Sequence, residues 1–246
     1  MRLSVAAESE IRRAWRLLDV ANIDGTRASW ERAMTSIIVR YQGLSTQAAE
    51  DYLARYELAE LVSRVGPIAR VQLDLSASLG VLDAAGPQAL KRSIGRGVNP
   101  IVAYENLARS VRQETQKLIL SGGRGTIVGA AQRDSRAIGW RRVSDGDPCA
   151  FCAMLVSRGP SYTSEAAALA KGNADPYHKG CGCTVEVLYG PWTPNEAEQV
   201  YVDQYYTAAE AADAAGEPRT ADTVLYRMRA DGGFRDSPAR RSALAP

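Results

Sequence analysis

Histidine is nearly missing from this chain: His178 is the one imidazole in 246 residues. A serine or cysteine hydrolase would therefore have a single candidate base, and no G-x-S-x-G elbow accompanies it. Cysteine is as scarce and unevenly placed, with none in the first 148 residues and none in the last 63. No apolar run approaches the ~20 residues that span a bilayer, and the opening Met1-Arg-Leu-Ser-Val-Ala-Ala-Glu lacks the apolar core of a signal peptide. No membrane partner is expected, and the expected site of synthesis is a reducing cytosol, where thiolates bind metal more readily than they pair. Net charge is only +2, which excludes a strong whole-molecule attraction to nucleic acid or an anionic surface. No internal repeat is present. Ser121-Gly122-Gly123-Arg124-Gly125 is rich in glycine but follows a helical pattern and lacks the Lys-Ser/Thr of a phosphate cradle, so it reads as a helix stop and turn.

What is there is ordinary in bulk: 46% apolar and 24% charged residues suit a globular chain with one large or two small cores. Ile11, Ala14, Trp15, Leu17 and Leu18 recur at helical spacing within Ala7 to Val20. Asp24-Gly25 is read as a break. Trp30, Ala33, Met34, Ile37, Ile38 and Tyr41 then predict a second helix ending at Gly43, and Ser45 or Thr46 caps a third that runs to Gly66-Pro67. Val71, Leu73 and Leu75 alternate with polar residues, which suits a short strand or an extended arm. Pro87 to Arg92 predicts a short helix. Asn99-Pro100 opens another, reaching Leu120 with Val102, Leu107, Val111 and Leu118 on its apolar face. Thr126 to Asp134 is a further helix, Ile138 to Val143 and Thr184 to Tyr189 are strands, and Ser164 to Lys171 is a short helix between them. Thr193, with Pro194 behind it, caps a helix to Ala215; Arg219 to Tyr226 is helical, and Asp231 to Pro246 is a mobile tail.

The chemistry gathers between the two strands. Cys149 and Cys152 stand two residues apart, and after 25 further residues come His178, Cys181 and Cys183. Each cluster can supply about half of a tetrahedral shell, so the pattern points to a structural Zn2+ site drawn from five candidate ligands. Disulfides between the clusters and plain buried thiols are the open alternatives. A catalytic zinc with three protein ligands and Glu165, Asp175 or Glu186 as base is another, although thiolate-rich sites are more often closed and structural. The basic residues near the site (Arg141, Arg142, Arg158, Lys171, Lys179) are balanced by Asp145, Asp147, Glu165 and Asp175, too mixed a set for a strong phosphate-binding face.

The runs G-W-R-R-V-S-D-G-D-P-C-A-F-C-A-M-L-V-S-R-G-P-S-Y and D-P-Y-H-K-G-C-G-C-T-V-E-V closely resemble the signature of the minor head proteins of tailed actinobacterial phages, relatives of the phage Mu F protein. The resemblance is strongest over roughly Pro87 to Leu188 and places Cys149, Cys152, His178, Cys181 and Cys183 at that family's metal-site positions. It implies a virion component made in the host cytoplasm and lodged inside the capsid near the portal vertex. Its expected partners are the portal protein and the major capsid or scaffold protein, and its work is head assembly, genome packaging or ejection. Family members are often labelled capsid maturation proteases, which makes processing of a scaffold or capsid precursor one alternative. A zinc-stabilised virion protein with nonspecific contacts to phage DNA is another. The expected fold is α+β and predominantly helical. Residues 1–98 form an N-terminal helical bundle, 99–190 a Mu F-like core with a small zinc-stapled antiparallel β element, and 191–246 a C-terminal helix and tail.

Overall fold

A computed structural model describes residues 3–61, 70, 73–160 and 177–237. Helices α1 (Leu3–Trp15), α2 (Ile23–Leu61), α3 (Leu75–Ala85), α4 (Pro87–Gly95) and α5 (Pro100–Arg133) come first. Strand β1 (Gly139–Val143), helix α6 (Ala150–Ser157), strand β2 (Thr184–Leu188) and helices α7 (Glu196–Ala214) and α8 (Ala221–Asp231) follow. The protein is thus mostly helical with one small antiparallel sheet. It divides into two compact units. The first takes in the described residues as far as Gly129 together with Tyr177–Cys181, and the second takes in the remainder.

In the first unit the core is built around Trp15, Trp30, Met34, Ile38, Leu82, Leu90, Val111 and Ile119. Trp15 meets Trp30 edge-on, with ring centroids 6.3 Å apart, and Tyr104 of α5 donates its hydroxyl to the Trp15 carbonyl at 2.9 Å. This core draws on one face each of α1, α2, α3, α4 and α5, the stripe that a 3.6-residue period produces.

Three expected helix stops do not occur where the sequence places them. Asp24-Gly25 lies in the first turn of α2, where the Asn22 side chain accepts from the Gly25 N–H, and the break falls earlier, between α1 and α2. Gly43 is an interior residue of a continuous 39-residue α2, exposed and with open space around it. Ser45 and Thr46 are buried inside α2 rather than acting as caps. They face Gly122 and Gly123, which are likewise inside a helix: α5 runs unbroken through Ser121-Gly122-Gly123-Arg124-Gly125, and the expected helix from Thr126 is its continuation. At 34 residues α5 is about 50 Å long. The physical reason is close approach. A Cβ at Gly122 would lie 2.6 Å from Thr46 Oγ1 and 2.8 Å from the Gln42 carbonyl, and one at Gly123 would lie 2.8 Å from the Ser45 carbonyl. Gln42 Nε2 donates to Ser121 Oγ at 2.9 Å, and the Gly123 N–H donates to Ser45 Oγ at 3.2 Å. Contacts available only to a bare backbone offset the roughly 1 kcal/mol that each interior glycine costs a helix.

Smaller corrections have equally local causes. Val71 lies outside the described residues, but Leu75 opens α3 instead of continuing an extended segment, because Asp74 accepts from the Ala77 N–H as an N-cap. Asn99 caps α5 through the Ile101 N–H at 3.0 Å, as its sequence implies. Val102 is half exposed, however, and Ala103 takes the inward position. The expected helices ending at Gly66-Pro67 and spanning Ser164 to Lys171 fall wholly or partly outside the described residues.

The second unit is organised on the hairpin-like pair β1–β2, in which Trp140 opposes Val187 and Arg141 opposes Glu186. Arg141, 8% exposed, donates from Nη2 to Glu186 at 2.6 Å and from Nη1 to Glu198 at 2.5 Å. Glu198 also completes a capping box with Asn195 at the start of α7, so Asn195, not Thr193, is the cap. One guanidinium thereby joins the sheet to a helix start. Helix α6 is apolar on every side and is accordingly buried almost throughout, packed on β1, α7 and α8. The alanine-rich end of α7 is a packing surface, with Ala208, Ala209 and Ala212 buried.

The expected mobile tail is packed through its described part, which runs to Ser237. Phe234 is 4% exposed and Ser237 fully buried. The Arg235 N–H donates to the Pro148 carbonyl at 3.2 Å, and Asp236 Oδ1 accepts from the Ala150 N–H at 2.7 Å.

Two glycine substitutions separate the exposed from the packed helical position. Gly43→Ala should raise stability by about 0.5–1 kcal/mol, since it meets nothing and gains helix propensity. Gly122→Ala has the same intrinsic gain, but overpacking against the Gln42 backbone costs about 1–3 kcal/mol, so the net change is a loss. Thermal unfolding followed by circular dichroism should show opposite shifts in Tm.

Candidate metal centre

Cys149 is the N-cap of α6, in extended conformation, and its Sγ accepts from the Cys152 N–H at 3.4 Å. This is the reason for the two-residue spacing: an N-cap and the third helical residue sit one turn apart on the same side of a helix start, and the sulfur takes up a backbone donor that has no partner within the helix. The second group is set by a tight turn. The Cys181 N–H donates to the His178 carbonyl at 3.1 Å, and Gly180 adopts φ +68°, a left-handed conformation that a side chain would strain.

That turn is fastened to α5. The Gly180 N–H donates to the Gln113 carbonyl at 3.2 Å, and Lys179 reaches Glu114 at 3.2 Å. Arg124 is 3% exposed and donates from Nη2 to the Cys181 carbonyl at 2.7 Å, while its guanidinium lies 3.7 Å from the centre of the Tyr177 ring. The arginine of the S-G-G-R segment thus orders the loop that carries three of the candidate ligands. Sequence reasoning assigned that segment to a turn and missed this role; the signal was an arginine beside helical glycines.

Among the described residues, two groups of three potential ligands have their donor atoms within 4.8 Å of one another: Cys149, Cys152 and His178, and Cys152, Cys181 and Cys183. All five residues singled out from the sequence are therefore brought together, and Cys152 belongs to both groups. The four cysteines are thiols outside any disulfide, all at most 5% exposed, whereas His178 is exposed. Its Nδ1 lies 2.8 Å from the Lys179 carbonyl. With Nδ1–H donating there, Nε2 keeps its lone pair for a metal. Two ligands bound about 2.3 Å from one ion can be at most about 4.6 Å apart, so the spacing fits a metal with little adjustment, and a soft, sulfur-rich donor set suits zinc. Of the acids weighed as bases, Glu165 and Asp175 lie outside the described residues, and Glu186 is held by Arg141.

One titratable group near the start of α6 is perturbed. Burial alone would raise the Asp236 carboxyl, but the Ala150 N–H and the Arg229 guanidinium outweigh it and hold the group below the usual carboxylate range.

The fold and site define a helix-rich protein with a small sheet and a Cys/His cluster able to hold a metal. The chain belongs to the VG15 protein family, which it matches over residues 1–212. It is similar to the Gene 15 protein of Mycobacterium phage D29, with 25% identity over 165 residues that cover 53% of this chain and 58% of that protein. The chain thus covers less than two thirds of that relative's length, and the likeness places it among bacteriophage proteins. No solved structure matches it, and no helix among the described residues is long and apolar enough to cross a membrane.

Arg124→Ala removes a buried charge-assisted hydrogen bond and a ring contact, together worth roughly 2–4 kcal/mol. The expected result is faster reaction of Cys181 with an aromatic disulfide reagent in metal-free protein, read as one additional fast thiol per chain.

Proposed function

We propose that this chain is a structural minor head protein of a tailed phage, a virion component that contacts the portal protein or the major capsid or scaffold protein and serves head assembly, packaging or ejection. Membership in the VG15 family, with a phage gene product among its relatives, supports a virion role. The Mu F-like pattern of residues around the cysteines supports the finer assignment. The observation that carries the structural reading is the burial of all four thiols around Cys152. Closed, thiolate-rich sites stabilise folds, whereas catalytic zinc keeps a position open to solvent.

The cluster is proposed as a structural zinc site, with ligands drawn from Cys149, Cys152, His178, Cys181 and Cys183. Zinc bound there would act as a cross-link between segments far apart in sequence, and its binding free energy would add to that of folding. The protein's own part is to bury the sulfurs, aim the Cys152 N–H at one of them and hold the imidazole tautomer that exposes Nε2.

Elemental analysis of protein purified without chelator should find about one zinc per chain, and removing it should lower Tm by several degrees. Cys152→Ser should lose the metal. Protein without stoichiometric zinc would overturn the metal assignment. For the virion role, mass spectrometry of gradient-purified particles should find the chain in mature heads at low copy number; its absence would refute the assignment.

A further inference from the structure

The segment after α8 makes a strap whose bonds fall on the two residues that flank Cys149. Gly232 ends the helix, with its N–H bonded to the Met228 carbonyl at 2.9 Å, and Phe234 folds inward over it. Arg235 and Asp236 then reach the start of α6. The Arg235 N–H bonds to the carbonyl of Pro148, and the Asp236 carboxylate accepts the N–H of Ala150. The residues on either side of Cys149 are both held by the strap. The Asp236 bond takes up the first N–H of α6, and Cys149 Sγ takes up the third, so strap and ligand share the capping of one helix start.

Charge fits this arrangement. A bare carboxylate beside a thiol pair would oppose formation of thiolates, yet Asp236 Oδ2 is paired with Arg229 Nε at 2.7 Å. The arginine compensates the charge and leaves the acceptor in place.

We propose that Asp236, backed by Arg229, is a positioning residue for the Cys149–Cys152 pair, so that metal binding and locking of the C-terminal strap are linked. The inference rests on the zinc reading above. Outer partners that orient metal ligands typically change affinity by 10–100-fold. Linkage requires the reciprocal effect, in which bound metal holds the strap closed.

The test uses the full chain. Zinc affinity is measured by competition with a chromophoric chelator for wild type, Asp236→Ala, Asp236→Asn and Arg229→Ala, with circular dichroism as the folding control. Cobalt(II) substitution reports thiolate ligation through its charge-transfer absorption, and hydrogen exchange reports residues 232–237 with and without zinc. The expected result is a roughly 10–100-fold loss of affinity in Asp236→Ala, an altered cobalt spectrum, and zinc-dependent protection of the strap in wild type that this variant loses. Asp236→Asn, which retains an acceptor, and Arg229→Ala should lose less. Should Asp236→Ala fail to fold, the other two decide: wild-type affinity in both overturns the inference. Wild-type affinity and cobalt spectrum in a folded Asp236→Ala, with a lower Tm of metal-free and metal-loaded forms alike, would show a merely structural role and also overturn it. Wild type that binds no zinc would refute the zinc reading and this inference together, and is seen before any variant is made.

Discussion

Bringing several sulfur atoms within a few ångströms of one another away from water is the constraint on which this architecture turns. Cys152 stands in both ligand groups, and its surroundings explain much of the local structure. A helix has to begin at Cys149 so that two sulfurs share a side, and a tight turn has to end at Cys181 so that two more can follow. Buried sulfurs need polar partners, and the protein supplies the Cys152 N–H at a helix start and an imidazole at the edge. A metal ion is a partner that this donor set could hold.

The supports of the cluster are themselves well fastened. On one side, Arg124 binds the backbone of Cys181 and lies against the Tyr177 ring, which spends the charge of a buried guanidinium on ordering a loop. The β pair, whose second strand begins one residue after Cys183, is held by Arg141, with Glu186 across the strands and Glu198 at the start of α7. A two-stranded ribbon is marginal alone in water. Here it is covered by an apolar helix and tied by a buried ion pair.

A place among bacteriophage proteins accords with these features. Thiols shielded from solvent serve the persistence of a fold, and His178 is the exposed member of the group.

How much of this could be read without coordinates varied with the range of the forces involved. Strands at residues 138–143 and 184–189 were legible because alternation and β-branched residues are local signals, and the Asn99-Pro100 helix start was legible because a cap needs only its neighbours. The five Cys/His positions were equally plain from spacing. Glycine misled at Gly43 and at Gly122-Gly123, since local propensity treats each as a stop. An exposed glycine inside a long helix is tolerated by its packed face, and a buried pair is required where a second helix comes too close for any Cβ. The C-terminal strap was illegible for a related reason: Asp231 to Ser237 is polar and short, and its order comes from Arg235 and Asp236 finding partners some 85 residues earlier.

From its order of residues alone, then, the chain specified helix-rich segments, a strand pair and a set of soft ligands in two clusters, because periodicity, caps and ligand spacing act over a few residues. Tertiary structure decided that α2 and α5 run unbroken, that Arg124 and Asp236 attend the cysteines, and that the sulfurs converge. Those outcomes depend on contacts between residues tens of positions apart, whose energies are not encoded in any short stretch of the chain.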